Sequence, residues 1–380
     1  MKCPRKIRIA TNPYTIFLNV LLLCSMALLL AYPLRLQALE SLCVRVSMFS
    51  CLSAAIYYYA TLDFAGMTTA DSCYLIMLAG GMLSIAFSRT LYRNVVLFWN
   101  FLQVPTLLLI GRKLPDKEKA KRKIGHFSLA ASVVLTLLSL TPLRDIGYGE
   151  YGVYYLDLTL GFDNPNKAAM ILTGCSFMLL CTQKYRSRML RGIVDLEIVY
   201  FLLLINETLC RTSYAVMLFV LLLYLVFRAV PVRKWEILLI MAVPFLYAAL
   251  ACGDSWVHHI IIGGHDIFTH RGEIYRSYFS GLDLLTFLLG DFERFCFQNL
   301  HHAYISILAT VGVLGFIPFF CLVFSKIQAS VRNRRKDSLL AICCFLGLIL
   351  NGCTEAAYFL GGALMTGITG MIYLLTLNEP

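Results

Sequence analysis

Long apolar stretches separated by short polar connections run from one end of the chain to the other. A helix that crosses a membrane needs about 20 mainly apolar residues, and reading with that window gives about twelve candidate spans. The first six centre on Tyr14–Leu34, Leu42–Leu62, Asp71–Ser88, Asn94–Gly111, Ile124–Thr141 and Pro165–Thr182. The others centre on Gly192–Leu209, Ser213–Phe227, Glu236–Cys252, Ala303–Ser325, Ser338–Asn351 and Ala357–Leu377. The pattern predicts an all-α polytopic membrane protein, with residues 1–380 forming a single integral membrane domain. The basic-then-apolar start resembles a signal peptide, but no small-x-small cleavage site follows, so it is read as an uncleaved first helix.

Composition narrows the class. Hydrophobic residues make up 59% of the chain and charged residues only 14%, against about 25% charged in soluble domains. That balance excludes disordered, collagen-like, coiled-coil and small disulfide-scaffold chains. The fourteen cysteines include no C-x-x-C pair and lie mostly inside apolar runs, which argues against zinc, iron–sulfur and dithiol sites. Cys210, Cys252 and Cys296 fall near one face, where a single disulfide is an open alternative.

Net charge is +11, which in a soluble chain would point to nucleic acid. Placement gives it another meaning. Twenty-three of the 33 Lys and Arg residues lie in five segments: the N-terminal tail, 111–123, 184–191, 228–234 and 326–336. Cytoplasmic loops carry the excess of Lys and Arg, and with twelve spans all five fall on that side, together with both termini. These charges are topogenic, and no nucleic-acid partner is implied.

Two outer segments exceed what a connection requires. One is 142–164, rich in Tyr, Gly and Asp; the other is the long extracytoplasmic loop 253–302, which holds six of the seven histidines. Long loops of this kind usually carry function. His301 and His302 stand where the polar loop gives way to an apolar helix, at a helix mouth that favours anions. A neutral imidazole there can take a proton from a sugar hydroxyl, or serve as an interfacial hydrogen bonder. Asn164 and Asn166 open a helix whose first position is Pro165, as caps or as ligands for sugar hydroxyls. Arg211 lies between two spans with Glu207 one turn before it, and an Arg at membrane depth is a functional candidate. Arg271, Arg276 and Lys167 are further cations of these segments, and the planar fork of an Arg suits phosphate oxygens. His265, Asp266, His270 and Glu273 match no zinc signature, so no metal is expected, and no phosphate-binding loop or serine-hydrolase elbow is present.

The run from His301 through Tyr304, Leu308 and Gly312 to Gly315 resembles the O-antigen polymerase and ligase superfamily, bacterial membrane glycosyltransferases that act on sugars carried by undecaprenyl diphosphate. Family members usually read His-Asn at this point; here His302 replaces the Asn. Three further segments are similar, in the family's order: 161–167 with Asn164 and Asn166, 210–213 with Arg211, and 269–276 with Arg271. The last has Tyr275 where Trp is frequent. The resemblance implies about twelve spans in a GT-C-like architecture, catalysis by His301 or His302, and a diphosphate held by Arg211 and Arg271, with Arg276 and Lys167 in reserve. It implies a polysaccharide polymerase of the bacterial inner membrane, working on the extracytoplasmic face without cofactor, nucleotide or metal. The expected partners are the undecaprenyl-diphosphate-linked oligosaccharide, membrane lipids, and the flippase and chain-length regulator of the same pathway. An O-antigen ligase transferring to lipid A core is the alternative within the superfamily. A lipid-linked sugar flippase or other secondary transporter is the alternative outside it, and would place polar residues in broken helices near the midplane.

Overall fold

The computed structural model describes residues 12–87, 91–141, 144–148, 154–253, 261–262, 265–266, 271–295, 300–333 and 336–378. Every sequence window holds a helix. In the first half these are α1 (Pro13–Ala31), α2 (Gln37–Ala60), α3 (Thr69–Phe87), α4 (Leu91–Ile110), α5 (Lys117–Ser139), α6 (Pro165–Cys181) and α7 (Arg188–Glu207). Then come α8 (Arg211–Ala229), α9 (Lys234–Cys252), the loop helices α10 (Arg271–Ser280), α11 (Leu284–Leu289) and α12 (Phe292–Phe295), and α13 (Ala303–Arg332). The chain closes with α14 (Lys336–Asn351), α15 (Ala357–Leu360) and α16 (Ala363–Thr376). Among the described residues, seven helices are long and apolar enough to cross a membrane, and two shorter apolar ones, 338–351 and 363–376, accompany them.

Several boundaries differ from the hydropathy reading. α5 begins at Lys117 rather than Ile124, because the Asp116 side chain accepts from the Lys119 amide at 2.7 Å and caps a lysine-rich first turn. α7 likewise starts at Arg188, capped by Ser187. The last window is two helices, since Gly362 adopts φ +86° and interrupts it. The expected all-α chain also carries two short antiparallel hairpins, Arg144–Tyr148 with Tyr154–Leu158 and Ile261–Ile262 with His265–Asp266.

Helices that are apolar on every side belong in an interior. α6, α14 and α16 obey this: residues 168–179 of α6 and 363–376 of α16 are buried throughout. Around them α2, α7, α8 and α9 expose Leu, Ile and Phe outward, Leu196, Leu203, Leu222 and Leu246 among them. Water would penalise such a surface, whereas a bilayer matches it. At one end of the bundle the basic segments meet: Lys184 faces Glu118, and Lys117 donates to the carbonyl of Asn378 at 3.0 Å.

α13 is broken. Gly312 takes φ +60° and ψ −173° inside it, a region open in practice only to glycine. The backbone of α11 fills the break, and the amide of Asp291 donates to the Ala309 carbonyl at 2.8 Å. A Cβ on Gly312 would stand 2.2 Å from the Leu288 carbonyl oxygen. Gly312 therefore anchors the long loop in α13.

Candidate functional site

Opposite the basic end, four chain segments far apart in sequence come together. Asn164 caps α6, its side-chain oxygen accepting from the Asn166 amide at 2.7 Å. That turn points Asn166 across to the connection after α14, where its side-chain amide donates to Glu355 at 2.8 Å. Leu209, at φ +57°, turns the chain from α7 into α8. Ser213 then ties α8 to α14, accepting from the Asn351 amide at 3.2 Å. Arg211 is thereby the first residue of α8. It is exposed and makes no ion pair among the described residues, Glu207 one turn before it included. Arg271 opens α10.

A groove of about 820 Å³ collects these residues: Asn166, Arg211, Thr212, Arg271 and Glu355 line it with Tyr247 and the apolar Phe219 and Val243. It lies between α8 and α9, with α14 packed against both. Phe219 and Val243 are 38% and 39% exposed on its bundle-surface side. Two guanidinium groups and one carboxylate thus line the same groove, and a guanidinium fork can donate paired hydrogen bonds to phosphate or carboxylate oxygens.

The two histidines do different things. His302 is fully buried and caps α13: Nδ1 accepts from the Ile305 amide at 3.2 Å, and Nε2 donates to the Pro244 carbonyl at 2.9 Å. Both ring nitrogens are engaged, and burial pushes its pKa down to about 4. Tyr275 meets the ring edge-on at 5.5 Å. His302 therefore acts as a neutral strut binding α9 to α13. His301 adopts φ +43°, a strained backbone for a non-glycine residue. Its Nδ1 stands 3.8 Å from Glu355 Oε1, with the ring 26% exposed. It does not line the groove but adjoins it through Glu355. The amide of Ala303 donates to the Gly352 carbonyl at 2.8 Å, fixing this junction.

The remaining candidates are placed elsewhere. Lys167 pairs with Asp163 at 2.8 Å and sits 5.3 Å above the Tyr32 ring, away from the groove. Arg276 lies further along α10 and does not line it. Arg294, in α12, pairs with Asp283 at 2.8 Å. Cys210 and Cys252 are free thiols, so no disulfide joins them; Cys296, His270 and the side chains of His265 and Asp266 lie outside the described residues. Glu355 was missed from sequence, although a signal existed: it is the only charged residue between 338 and 378.

No protein-family model matches the chain, and no curated protein or solved structure is detectably similar to it.

Proposed function

We propose that the chain is a polymerase-type membrane glycosyltransferase acting on sugars linked to a lipid diphosphate. The observation that carries this reading is the meeting of Asn166, Arg211, Arg271 and Glu355 in one groove, with His301 against Glu355. Arg211 and Arg271 hold the diphosphate of the donor, a growing undecaprenyl-diphosphate-linked polysaccharide. Glu355 orients His301 through Nδ1, leaving Nε2 to take the proton of the acceptor hydroxyl on a second lipid-linked repeat unit. The acceptor oxygen attacks the anomeric carbon, the bond from that carbon to the diphosphate oxygen breaks, and the diphosphate leaves with the electron pair. Asn166 fixes Glu355 and offers its amide to sugar hydroxyls. On this reading the bundle has about twelve spans in a GT-C-like arrangement. Its basic end faces the cytoplasm and the groove faces the outside of a bacterial inner membrane.

The test is incubation of the purified chain in lipid vesicles with undecaprenyl-diphosphate repeat unit, products being separated on a gel. A ladder without nucleotide is expected, and it disappears in His301→Ala and Arg211→Ala. Full laddering by either variant sinks the site assignment, and supplying lipid A core as acceptor tests the ligase reading. The break in α13 and the buried Asn100 and Gln103 of α4 favour a second reading, transport of the lipid-linked sugar. Translocation of a fluorescent lipid-linked oligosaccharide across the vesicle with no elongation would select it.

A further inference from the structure

Seventeen residues of α6 separate the groove from the other end of the bundle, about 25 Å at 1.5 Å per residue. There a second cavity, of about 520 Å³, is lined by Arg122, His126, Leu129, Lys184, Arg186 and Leu190 among others. Arg186 is only 8% exposed. Its guanidinium donates to the Leu179 carbonyl at 2.8 Å, Thr182 Oγ1 at 2.9 Å and Ser128 Oγ at 3.2 Å. All three acceptors are neutral, and no carboxylate pairs with it among the described residues. A buried cation without a counter-charge is unfavourable, so the cavity is built to receive one.

The other cations are held in place around it. Arg122 and Lys184 lie over the Tyr185 ring at 5.8 and 5.0 Å. Glu118 supplies a carboxylate beside them, but it accepts from the Tyr185 hydroxyl at 2.5 Å and also faces Lys121 at 3.5 Å and Lys184 at 3.8 Å. Asp195 is engaged by the Gln183 amide. Arg122, like Arg186, pairs with no carboxylate among the described residues. Beyond Leu129 and Leu190, α5 exposes Val133 and Leu137, and α7 exposes Ile193, Leu196 and Leu203. The cavity thus continues into apolar stripes suited to acyl chains.

We propose that this cavity is a phosphate site that takes the headgroup of an anionic lipid from the surrounding leaflet. Arg122, Lys184 and Arg186 contact the phosphate oxygens, and the paired donors of the two guanidinium groups match that geometry. Free phosphate has the same chemistry, and the two sources are separable by experiment.

The test uses the full chain in detergent and native mass spectrometry after exposure to equal amounts of phosphatidylglycerol and phosphatidylcholine. Retention of phosphatidylglycerol is expected, with a fall in preference of about fivefold for each cation removed. Arg186→Gln removes a buried side chain that ties α5 to α6, so the deciding variant is R122Q/K184Q, whose side chains are exposed. A second arm measures the shift in melting temperature produced by millimolar inorganic phosphate. Either response, lost in R122Q/K184Q, supports the phosphate site, and which one appears names its source. A wild type that shows neither response, or responses the double variant leaves unchanged, overturns the proposal.

Discussion

Gly312→Ala is the sharpest probe of how the long loop is held. The native backbone at this position, φ +60° and ψ −173°, costs a residue with a Cβ about 1–3 kcal/mol. The added Cβ also runs into the peptide group joining Leu288 to Leu289: the Leu288 oxygen at 2.2 Å, the Leu288 carbonyl carbon at 2.4 Å and the Leu289 nitrogen at 2.5 Å. No rotamer change relieves a clash with backbone, so overpacking adds about 1–3 kcal/mol more. The expected loss is about 3 kcal/mol, read as a fall in melting temperature of about 5 °C or more for the detergent-purified chain. Relief requires α11 to leave the break, so the same variant should expose the α10–α12 loop to limited proteolysis. Gly290, at φ +80°, touches the same spot: its Cβ would lie 2.7 Å from the Gly312 nitrogen. Gly290→Ala should therefore destabilise too, and the double variant by less than the sum, since displacing α11 relieves both. Gly192→Ala is the control, because nothing lies within 4 Å of its Cβ inside α7. It should leave the melting temperature unchanged or slightly raised. A Gly312→Ala melting temperature equal to that of wild type refutes the reasoning.

Other expectations test the histidines and their carboxylate. His302→Ala removes a helix cap and leaves the Pro244 carbonyl unmet, so it should lower stability by about 2–4 kcal/mol, measured by thermal unfolding whether or not activity survives. Because His302 is held neutral when folded, with its pKa pushed down to about 4 from an ordinary 6.5, protonation favours the unfolded chain. Its share of stability is present above pH 6.5 and is lost as pH falls from there toward 4; His302→Gln should flatten that part of the melting-temperature profile. Glu355→Gln should lower polymerisation about 10- to 100-fold with little change in melting temperature, and a fully active variant removes Glu355 from the proposed mechanism. Arg211→Lys should retain more activity than Arg211→Ala yet less than wild type, since a point charge replaces a two-pronged donor, as kcat/KM on the lipid-linked substrate would record.

Hydropathy located every major helix, because apolar runs of this length have no other use. It failed where helices begin in polar sequence: the lysines of 117–123 carry no apolar signal, and only the Asp116 cap extends α5 through them. It also failed at glycine, since Gly312 and Gly362 look like packing residues until their φ angles are seen. Within the site, Asn166, Arg211 and Arg271 were legible by position, each in the first turn of a helix at one end of the bundle. The division of labour between His301 and His302 was not, because it depends on the Pro244 carbonyl, 58 residues away. Glu355 escaped for the converse reason. Nothing in its own sequence neighbourhood says that Asn166, 189 residues earlier, will meet it.

The side wall formed by Phe219 and Val243 has a kinetic consequence. α8 and α9 present these two half-exposed apolar side chains at the groove, so on the proposed reading a polyprenyl tail reaches it by sliding sideways without leaving the bilayer. Supply is then two-dimensional. Turnover should follow the mole fraction of substrate among the lipids and ignore its amount per litre. Fusing the vesicles with empty ones should slow the reaction, while diluting the same vesicles into buffer should not.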